Sequence, residues 1–287
     1  MAVWFFASDL HGDVERYRKL FERIAADRPE AVFLGGDLLP GGLAELATFD
    51  VRRQDFVNDF LAARLRRLHG ELASAYPHVF VIPGNDDPRT FEAALLAVAA
   101  EGLWTYVHGR RATIGTFDVY GYAFSPPSPY ALKDWERYDV SRFVDPGCVS
   151  PEEGFRTIPA APNEVRHATI ADDLERLTAD RDLSRAVMLF HAPPHGTRLD
   201  RAALDARVVE HAPVDVHVGS IAIRRFIEAR QPWITMHGHV HESARLTGAW
   251  SQQIGRTWCF SAAHDGEELA LLRFDPQRPG EAERELV

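Results

Sequence analysis

The segment Val81–Pro88, VIPGNDDP, joins an apolar run to a dense cluster of turn-forming residues and carboxylates. Gly, Asn, Asp and Pro all favour turns, so the simplest interpretation is a tight loop after a β-strand. The alternative is that Asn85, Asp86 and Asp87 also hold a ligand. The rest of the chain helps to decide between the two, because other predicted strands also end in polar side chains.

The composition is typical of a globular protein with a large core, with 287 residues, 46% hydrophobic and 26% charged. No polar linker, internal repeat or low-complexity tract divides the sequence, so we expect a single domain over residues 1–287. The two cysteines form neither a disulfide framework nor a CxxC motif, and a reducing cytoplasm is the expected location.

The start of the chain and its net charge exclude several classes of function. The apolar N-terminal run reaches Asp9 early and lacks a basic start, which predicts a first strand and not a signal peptide or membrane span. A formal net charge of −10 disfavours binding to long nucleic acid, which requires a cationic face. A small anionic substrate remains compatible if bound metal ions reverse the local charge.

Short β-rich runs alternate with helical patterns along the chain, which predicts stacked sheets with helices outside. Residues 125–163 are rich in Pro and aromatic residues and lack periodicity, so we predict an irregular excursion there. The predicted strands lie at 3–7, 31–34, 79–82, 104–124, 186–190 and 233–236, with further short strands to 274. The predicted helices lie near 14–24, 51–72, from 90, at 169–180 and after 220.

Polar residues follow five of these predicted strands, in the sequences SDLHGD, GGD, GNDD, HAPPHG and HGHVH. Ligands of α/β sheets bind at the carboxyl ends of the strands, so these side chains are expected to meet. Each has a structural alternative as a helix cap, a turn residue or a hydrogen-bonded core histidine. A whole cluster of unpartnered polar groups would be costly, which favours a bound ion. The candidate ligands are Asp9, His11, Asp37, Asn85, His191, His239 and His241.

The donor types indicate the metal. Imidazole nitrogen and carboxylate oxygen suit Mn, Fe or Zn, whereas the pattern includes no thiolate and offers no all-oxygen calcium cage. Seven ligands exceed the needs of one ion but fit two ions that share a bridging carboxylate. Paired ions of this kind activate water and stabilise the charge that develops in phosphoryl transfer.

The ordered motifs DLH, GGD, GND, a lone His and GHVH resemble those of the calcineurin-like metallophosphoesterase superfamily, from Asp9 to His241. The longer phrases HAPPHGTRLD, HVGSIAIRRFI and HGHVHES resemble a prokaryotic branch of small phosphoesterases. The resemblance implies a four-layer α/β/β/α sandwich, two divalent transition-metal ions and a small phosphate-ester substrate. It also implies the metal ligands: Asp9, His11, Asp37 and His241 for the first ion, with Asp37 bridging, and Asn85, His191 and His239 completing the second.

One motif departs from the family pattern. Where the family commonly has Gly-Asn-His followed by an acid, this chain has Asp86 at the His position and Asp87 at the acid. That His contacts the phosphate and is a candidate to protonate the leaving group. Asp86, ionised beside two cations, would not donate a proton and would repel a phosphate dianion more than a diester monoanion. We therefore predict a phosphodiesterase, with Asp86 and the loop residue His195 as candidate catalytic residues.

Several other residues carry open alternatives. His237 either supports the ligands or lies in the core, and Ser220 either caps a helix or opens a phosphate site. The remaining candidates are the anion clamps Arg110, Arg111 and Arg198 and the lid residues Tyr130, Trp135 and Tyr138, whose alternatives are ordinary surface arginines and a packed loop.

Alternative functions are a catalytically weak metal-binding scaffold, a protein phosphatase or a nuclease of the same superfamily. The Ser/Thr phosphatases share an Asp-Arg-Gly after the GD motif and an Arg before GNH, where this chain has GGDLLPGG and Pro83. The net charge disfavours a nuclease. The sequence does not indicate an oligomeric state.

Overall fold

The computed structural model describes residues 2–41, 55–205, 207–209 and 211–287, and in them the strands form two six-stranded sheets and a two-stranded ribbon. In chain order the strands are β1 (Trp4–Ala7), β2 (Ala31–Gly35), β3 (His78–Ile82), β4 (Thr105–Tyr106), β5 (Arg111–Ile114), β6 (Phe117–Tyr122), β7 (Ala186–Phe190), β8 (Val208–Val209), β9 (Ala212–Pro213), β10 (Ile234–His237), β11 (Ser251–Ile254), β12 (Thr257–Ser261), β13 (Ala270–Phe274) and β14 (Glu283–Leu286).

Both sheets are mixed, with parallel strands at their centres. The first has the order β14-β13-β1-β2-β3-β4, in which β1 to β4 are parallel neighbours. The second has the order β11-β12-β10-β7-β6-β5, in which β12, β10, β7 and β6 are parallel. The loops after β1, β2 and β3 therefore leave one edge of the first sheet together, and the loops after β7 and β10 leave one edge of the second.

Helices flank the sheets. In the described ranges, no helix is both long and apolar enough to cross a membrane. The helices are α1 (Val14–Asp27), a π-helical segment (Phe56–Ala62) that continues into α2 (Ala63–Leu72), α3 (Glu92–Ala100), α4 (Pro162–His167), α5 (Ile170–Thr178), α6 (Ile221–Arg230) and α7 (Ser243–Thr247), with 3₁₀ turns at Ala73–Ala75, Arg89–Phe91 and Pro279–Glu281.

Alternating side chains of the first sheet face two different cores, as the two-residue period of a strand requires. Phe6 of β1 packs in a cluster with Leu189 of the second sheet. Its neighbour Phe5 packs in a separate cluster with Leu20 of α1. Ile227 of α6 packs in the same cluster as Phe6 and Leu189. The predicted four-layer α/β/β/α sandwich is confirmed.

The strand and helix predictions hold for the elements with strong apolar periodicity. The strand at 186–190 has the predicted bounds, and the helix predicted at 51–72 is helical from Phe56, while 51–54 lie outside the described residues. The strand β14 was not predicted, because its sequence EREL is charged and lies at a sheet edge where half of its side chains face solvent.

The excursion is irregular up to α4 but well packed. Lys133 and Glu136 form a fully buried ion pair, and the Lys133 Nζ also donates to the Ser128 carbonyl oxygen at 2.9 Å. The buried Asp134 accepts a hydrogen bond of 2.7 Å from the backbone N–H of Arg89. This bond ties the excursion to the turn that follows the GNDD loop.

Candidate metal centre

Two overlapping clusters of side chains form where the loops after β1, β2, β7 and β10 meet. In the first cluster, one ligand atom from each of four residues lies within 4.8 Å of the others, and the second cluster has three such residues. Asp37 belongs to both clusters. The first cluster consists of Asp9, His11, Asp37 and His241, and the second of Asp37, His191 and His239.

The first cluster places imidazole nitrogens beside carboxylate oxygens and beside each other. His241 Nε2 lies 3.3 Å from Asp9 Oδ1, and His11 Nε2 lies 3.8 Å from Asp37 Oδ2. The two Nε2 atoms of His11 and His241 are 3.2 Å apart. Imidazole Nε2 atoms and carboxylates this close together form a donor set that suits a divalent transition metal once the imidazoles lose their protons.

The second cluster is deeper. His191 is fully buried, and its Nε2 lies 2.8 Å from Asn85 Oδ1 and 3.3 Å from Asp37 Oδ2. Its other ring nitrogen, Nδ1, lies 2.9 Å from the Gly35 carbonyl oxygen. Because a carbonyl only accepts, this contact places a hydrogen on Nδ1, so Nε2 is the ring nitrogen that would bind a metal after losing its own proton. The ring of His239 is 5.2 Å from that of His191.

Four of the clustered residues have left-handed backbone conformations, which cost energy in residues other than glycine. The φ angles are 56° for Asp9, 45° for His11, 51° for Asp37 and 75° for His239. Backbone bonds between the loops maintain these conformations: Asp9 N donates to the Gly36 carbonyl at 2.9 Å, and His11 N donates to the Asp37 carbonyl at 2.8 Å. The loops that carry the candidate ligands therefore hold four strained residues in place through contacts with one another.

Gly84, within the opening segment, permits a close approach between loops. A Cβ at Gly84 would lie 2.3 Å from both N and Oδ1 of Asp37 and 2.6 Å from His191 Cε1. Any larger residue would separate the loop after β3 from the two clusters.

Asp87 fastens the same loops together. Its carboxylate, only 1% exposed, accepts hydrogen bonds from the backbone N–H groups of Leu38 at 2.9 Å, Leu39 at 2.7 Å and Gly84 at 2.8 Å. Burial and the nearby charge of Asp37 raise the pKa of Asp87 to about 7, although the three donors favour the ionised form. The acid of the GNDD motif thus joins the loop after β2 to the loop after β3.

Asp86 contacts two members of the first cluster. Its backbone N–H donates to Asp37 Oδ1 at 2.8 Å, and its Oδ2 lies 3.3 Å from His11 Nδ1. The side chain is 37% exposed.

Neighbouring histidines favour the ionised forms of two carboxylates in the clusters. Burial opposes ionisation of Asp9, yet the hydrogen bond and charge of His241 lower its pKa to about 2. Burial likewise opposes ionisation of Asp37, but the charge of His191 brings its pKa well below the usual value. Both carboxylates are therefore available as metal ligands at neutral pH.

The histidines divide by position. Burial disfavours the charged ring of His191, but the charge of Asp37 raises the pKa of His191 to about 9. Burial also disfavours the charged ring of His11, but the hydrogen bond to Asp86 raises the pKa of His11 to about 9. Burial and the charge of His191 lower the pKa of His239 to about 4. The neighbouring carboxylates thus favour the charged rings of His11 and His191, whereas the charged ring of His239 is disfavoured.

His195 is not a member of either cluster. Its Nε2 lies 3.3 Å from Asp215 Oδ2, its ring is 5.9 Å from that of His217, and its backbone N–H donates to the Ser220 carbonyl. These contacts place it in the loop network before α6, so a catalytic role for His195 stays a prediction.

His237 and Ser220 have structural roles in the fold. His237 is fully buried and bonds the Ala192 carbonyl at 2.9 Å and Thr235 Oγ1 at 2.8 Å, which makes it a core side chain. Ser220 is an N-cap, since its Oγ accepts from Ile223 N at 3.0 Å. The backbone N–H groups of Ile221 and Ala222, at the start of α6, donate to the Asp139 carboxylate, so the phosphate-site interpretation of this helix is wrong.

The lid interpretation is also wrong for two of its three residues. Trp135 and Tyr138 are 1% and 2% exposed and pack inside the protein, whereas Tyr130 is 67% exposed. The candidate anion clamps have other partners: Arg111 pairs with Asp118, Arg198 donates to the Thr247 carbonyl, and Arg110 lies over the Tyr106 ring.

Comparison with known proteins agrees with this geometry. A family profile described as calcineurin-like phosphoesterase matches residues 5–243. No match was found among curated proteins. One crystal structure aligns with 19% identity over 99% of this chain and 98% of its own, with a TM-score of 0.61.

Two further solved structures are similar in fold. TT1561 of Thermus thermophilus is 17% identical over 99% of this chain and 98% of its own, with a TM-score of 0.57. A dimetal phosphatase from Danio rerio is 13% identical over 95% of this chain and 91% of its own, with a TM-score of 0.54.

Proposed function

This chain belongs to the calcineurin-like phosphoesterase family, and we propose that it is a dinuclear-metal-dependent hydrolase of small phosphate esters that prefers phosphodiesters to phosphomonoesters. The observation that carries the proposal is the pair of clusters that share Asp37. A fold neighbour from Danio rerio is named a dimetal phosphatase, which agrees with two ions.

In this proposal Asp9, His11, Asp37 and His241 hold one ion, and Asp37, Asn85, His191 and His239 hold the other. When bound, the ions supply an activated water and absorb charge on the transferring phosphoryl group. The backbone prepares the carboxylates, because His239 N donates to Asp9 Oδ1 at 2.9 Å and Asp86 N donates to Asp37 Oδ1 at 2.8 Å. The nitrogen and oxygen donors suit Mn, Fe or Zn.

The preference for diesters rests on Asp86. An ionised carboxylate replaces the imidazole that the family places after Asn, so it cannot protonate a poor leaving group, a step typically worth about 10²–10⁴-fold. It also repels a dianionic monoester more than a monoanionic diester. Asp86→His should raise the monoester rate more than the diester rate on matched aryl substrates when both rates are measured at saturating Mn²⁺. A wild-type preference for monoesters would contradict this argument.

The expected setting follows from composition. A net charge of −10 opposes long nucleic acid as a substrate. The free Cys148 and Cys259 agree with a reducing, cytoplasmic location.

Metal stoichiometry tests the proposal. Wild-type protein loaded with Mn²⁺ should contain about two equivalents, Asp37→Ala should lose both, and His241→Ala should keep one. Elemental analysis after desalting measures the content, and circular dichroism controls for folding. A wild-type content near zero, or an unaffected Asp37→Ala, would refute the two-metal centre. Two equivalents with no hydrolysis of any phosphate ester would instead favour the metal-binding scaffold.

A further inference from the structure

His11 of the first cluster contacts a carboxylate through each of its two ring nitrogens. Nε2 faces the cluster, 3.8 Å from Asp37 Oδ2 and 3.2 Å from His241 Nε2. Nδ1 faces away from it and lies 3.3 Å from Asp86 Oδ2. The ring is 28% exposed, so packing alone does not fix its orientation.

The second cluster contains an internal parallel. His191 also directs Nε2 at the cluster, while its Nδ1 is held by the Gly35 carbonyl oxygen at 2.9 Å. Metal-binding histidines generally donate their second ring N–H to a carboxylate or a carbonyl, which sets the tautomer and the ring orientation. For His11, the carboxylate of Asp86 occupies the place that the Gly35 carbonyl occupies for His191.

Asp86 is also well placed for this task by its main chain. Its N–H donates to Asp37 Oδ1 at 2.8 Å, so the backbone of Asp86 is fixed relative to the shared carboxylate. The following residue, Asp87, is anchored by three backbone donors. The Asp86 side chain therefore extends toward His11 from a loop whose main chain is hydrogen-bonded on both sides.

From these contacts we infer that Asp86 is a positioning residue for the first metal: its carboxylate accepts the Nδ1–H of His11 and so presents the Nε2 lone pair to the ion. The inference rests on the proposed dinuclear centre and deepens it. It also gives a function to the Asp that replaces the family's usual His at position 86. The ionised carboxylate cannot act as a proton donor, but it orients His11 as a metal ligand. In the second cluster, the Gly35 carbonyl oxygen holds the Nδ1 of His191 in place of a carboxylate.

The two sites are separated for the test by background variants. His239→Ala leaves the first cluster intact, and His241→Ala leaves the second. In each background Asp86→Ala and Asp86→Asn are compared with the parent by competition for Mn²⁺ against a chromogenic chelator. Asp215→Asn provides a matched control, because Asp215 Oδ2 lies at the same 3.3 Å from a histidine nitrogen, that of His195, outside both clusters.

We expect Asp86→Ala to weaken Mn²⁺ binding by about 10–100-fold in the His239→Ala background and by less than about 3-fold in the His241→Ala background. Asp86→Asn, whose amide oxygen can still accept the Nδ1–H of His11, should weaken binding less than Asp86→Ala in the His239→Ala background. Asp86→Glu should restore part of the affinity. In the Zn²⁺-loaded full chain, the Nδ1–H resonance of His11 should be protected from exchange in wild type and lost in Asp86→Ala.

Equal weakening of both sites would reveal a general structural role and overturn the inference, and so would unchanged affinity in the His239→Ala background. Wild-type protein that binds no Mn²⁺ would instead overturn the dinuclear centre, and with it this role of Asp86. The two failures are therefore distinguishable.

Discussion

Asp87→Ala is expected to destabilise the protein more than any change to its neighbour Asp86. The substitution leaves the buried N–H groups of Leu38, Leu39 and Gly84 without an acceptor. A buried unsatisfied donor costs about 1–3 kcal/mol, so three cost at least about 3 kcal/mol. The low end of this range applies, because burial of the Asp87 carboxylate is itself unfavourable and raises its pKa to about 7. Removing the carboxylate also removes that unfavourable contribution.

Asp87→Asn should lie between wild type and Asp87→Ala. Its amide oxygen can still accept from Leu38 and Leu39, while its NH₂ group faces the N–H of Gly84, so one donor is lost at a cost of about 1–3 kcal/mol. Asp86→Asn, at a side chain 37% exposed, serves as the control and should change stability by no more than about 1 kcal/mol.

Urea unfolding of the metal-free chain measures these differences. With a slope of about 3 kcal/mol/M, a loss of about 3 kcal/mol lowers the midpoint by roughly 1 M. Folded Asp87→Ala should also bind metal more weakly, because Leu38 follows Asp37 and Gly84 precedes Asn85. A midpoint for Asp87→Ala that matches that of Asp86→Asn would refute the claim that Asp87 fastens the two loops.

Three further predictions concern protonation, loop approach and the excursion. The pKa values of His11 and His191 are raised to about 9 in the metal-free chain. Mn²⁺ binding at pH 7 should therefore release about two protons, and the affinity for Mn²⁺ should increase as the pH rises toward 9. Calorimetry in buffers of different ionisation enthalpy would detect the released protons, and binding heats that do not depend on the buffer would contradict the prediction. Gly84→Ala should cost about 1–3 kcal/mol by overpacking and lower metal content, because its Cβ would meet Asp37 N at 2.3 Å; unchanged stability and metal content would show that the loop can shift freely. Lys133→Met should lower the free energy of unfolding by about 3–5 kcal/mol, because it leaves Glu136 buried and unpaired. Adding Glu136→Leu to Lys133→Met should recover part of this loss, measured by chemical unfolding. A double variant no more stable than the single one would argue against a net cost of the unpaired charge.

Local sequence determined the elements and the edge at which the polar residues lie. The strands β1, β2, β3, β7 and β10 were predicted from apolar runs of four or five residues that lead into loops containing Asp, Asn or His. A short, continuous apolar run is the usual pattern of a buried parallel strand. Parallel pairing then places the ends of neighbouring strands together, so the sequence alone predicted which seven side chains should converge.

The tertiary structure decided the partners within that edge. Asp86 and Asp87 are adjacent in sequence and chemically identical, yet one faces the imidazole of His11 and the other accepts backbone N–H groups about fifty residues away in the chain. The burial of Trp135 and Tyr138 was also decided at this level. These outcomes depend on strand register and on left-handed turns at residues such as Asp9 and Asp37, which local propensity disfavours and only contacts between distant segments can enforce.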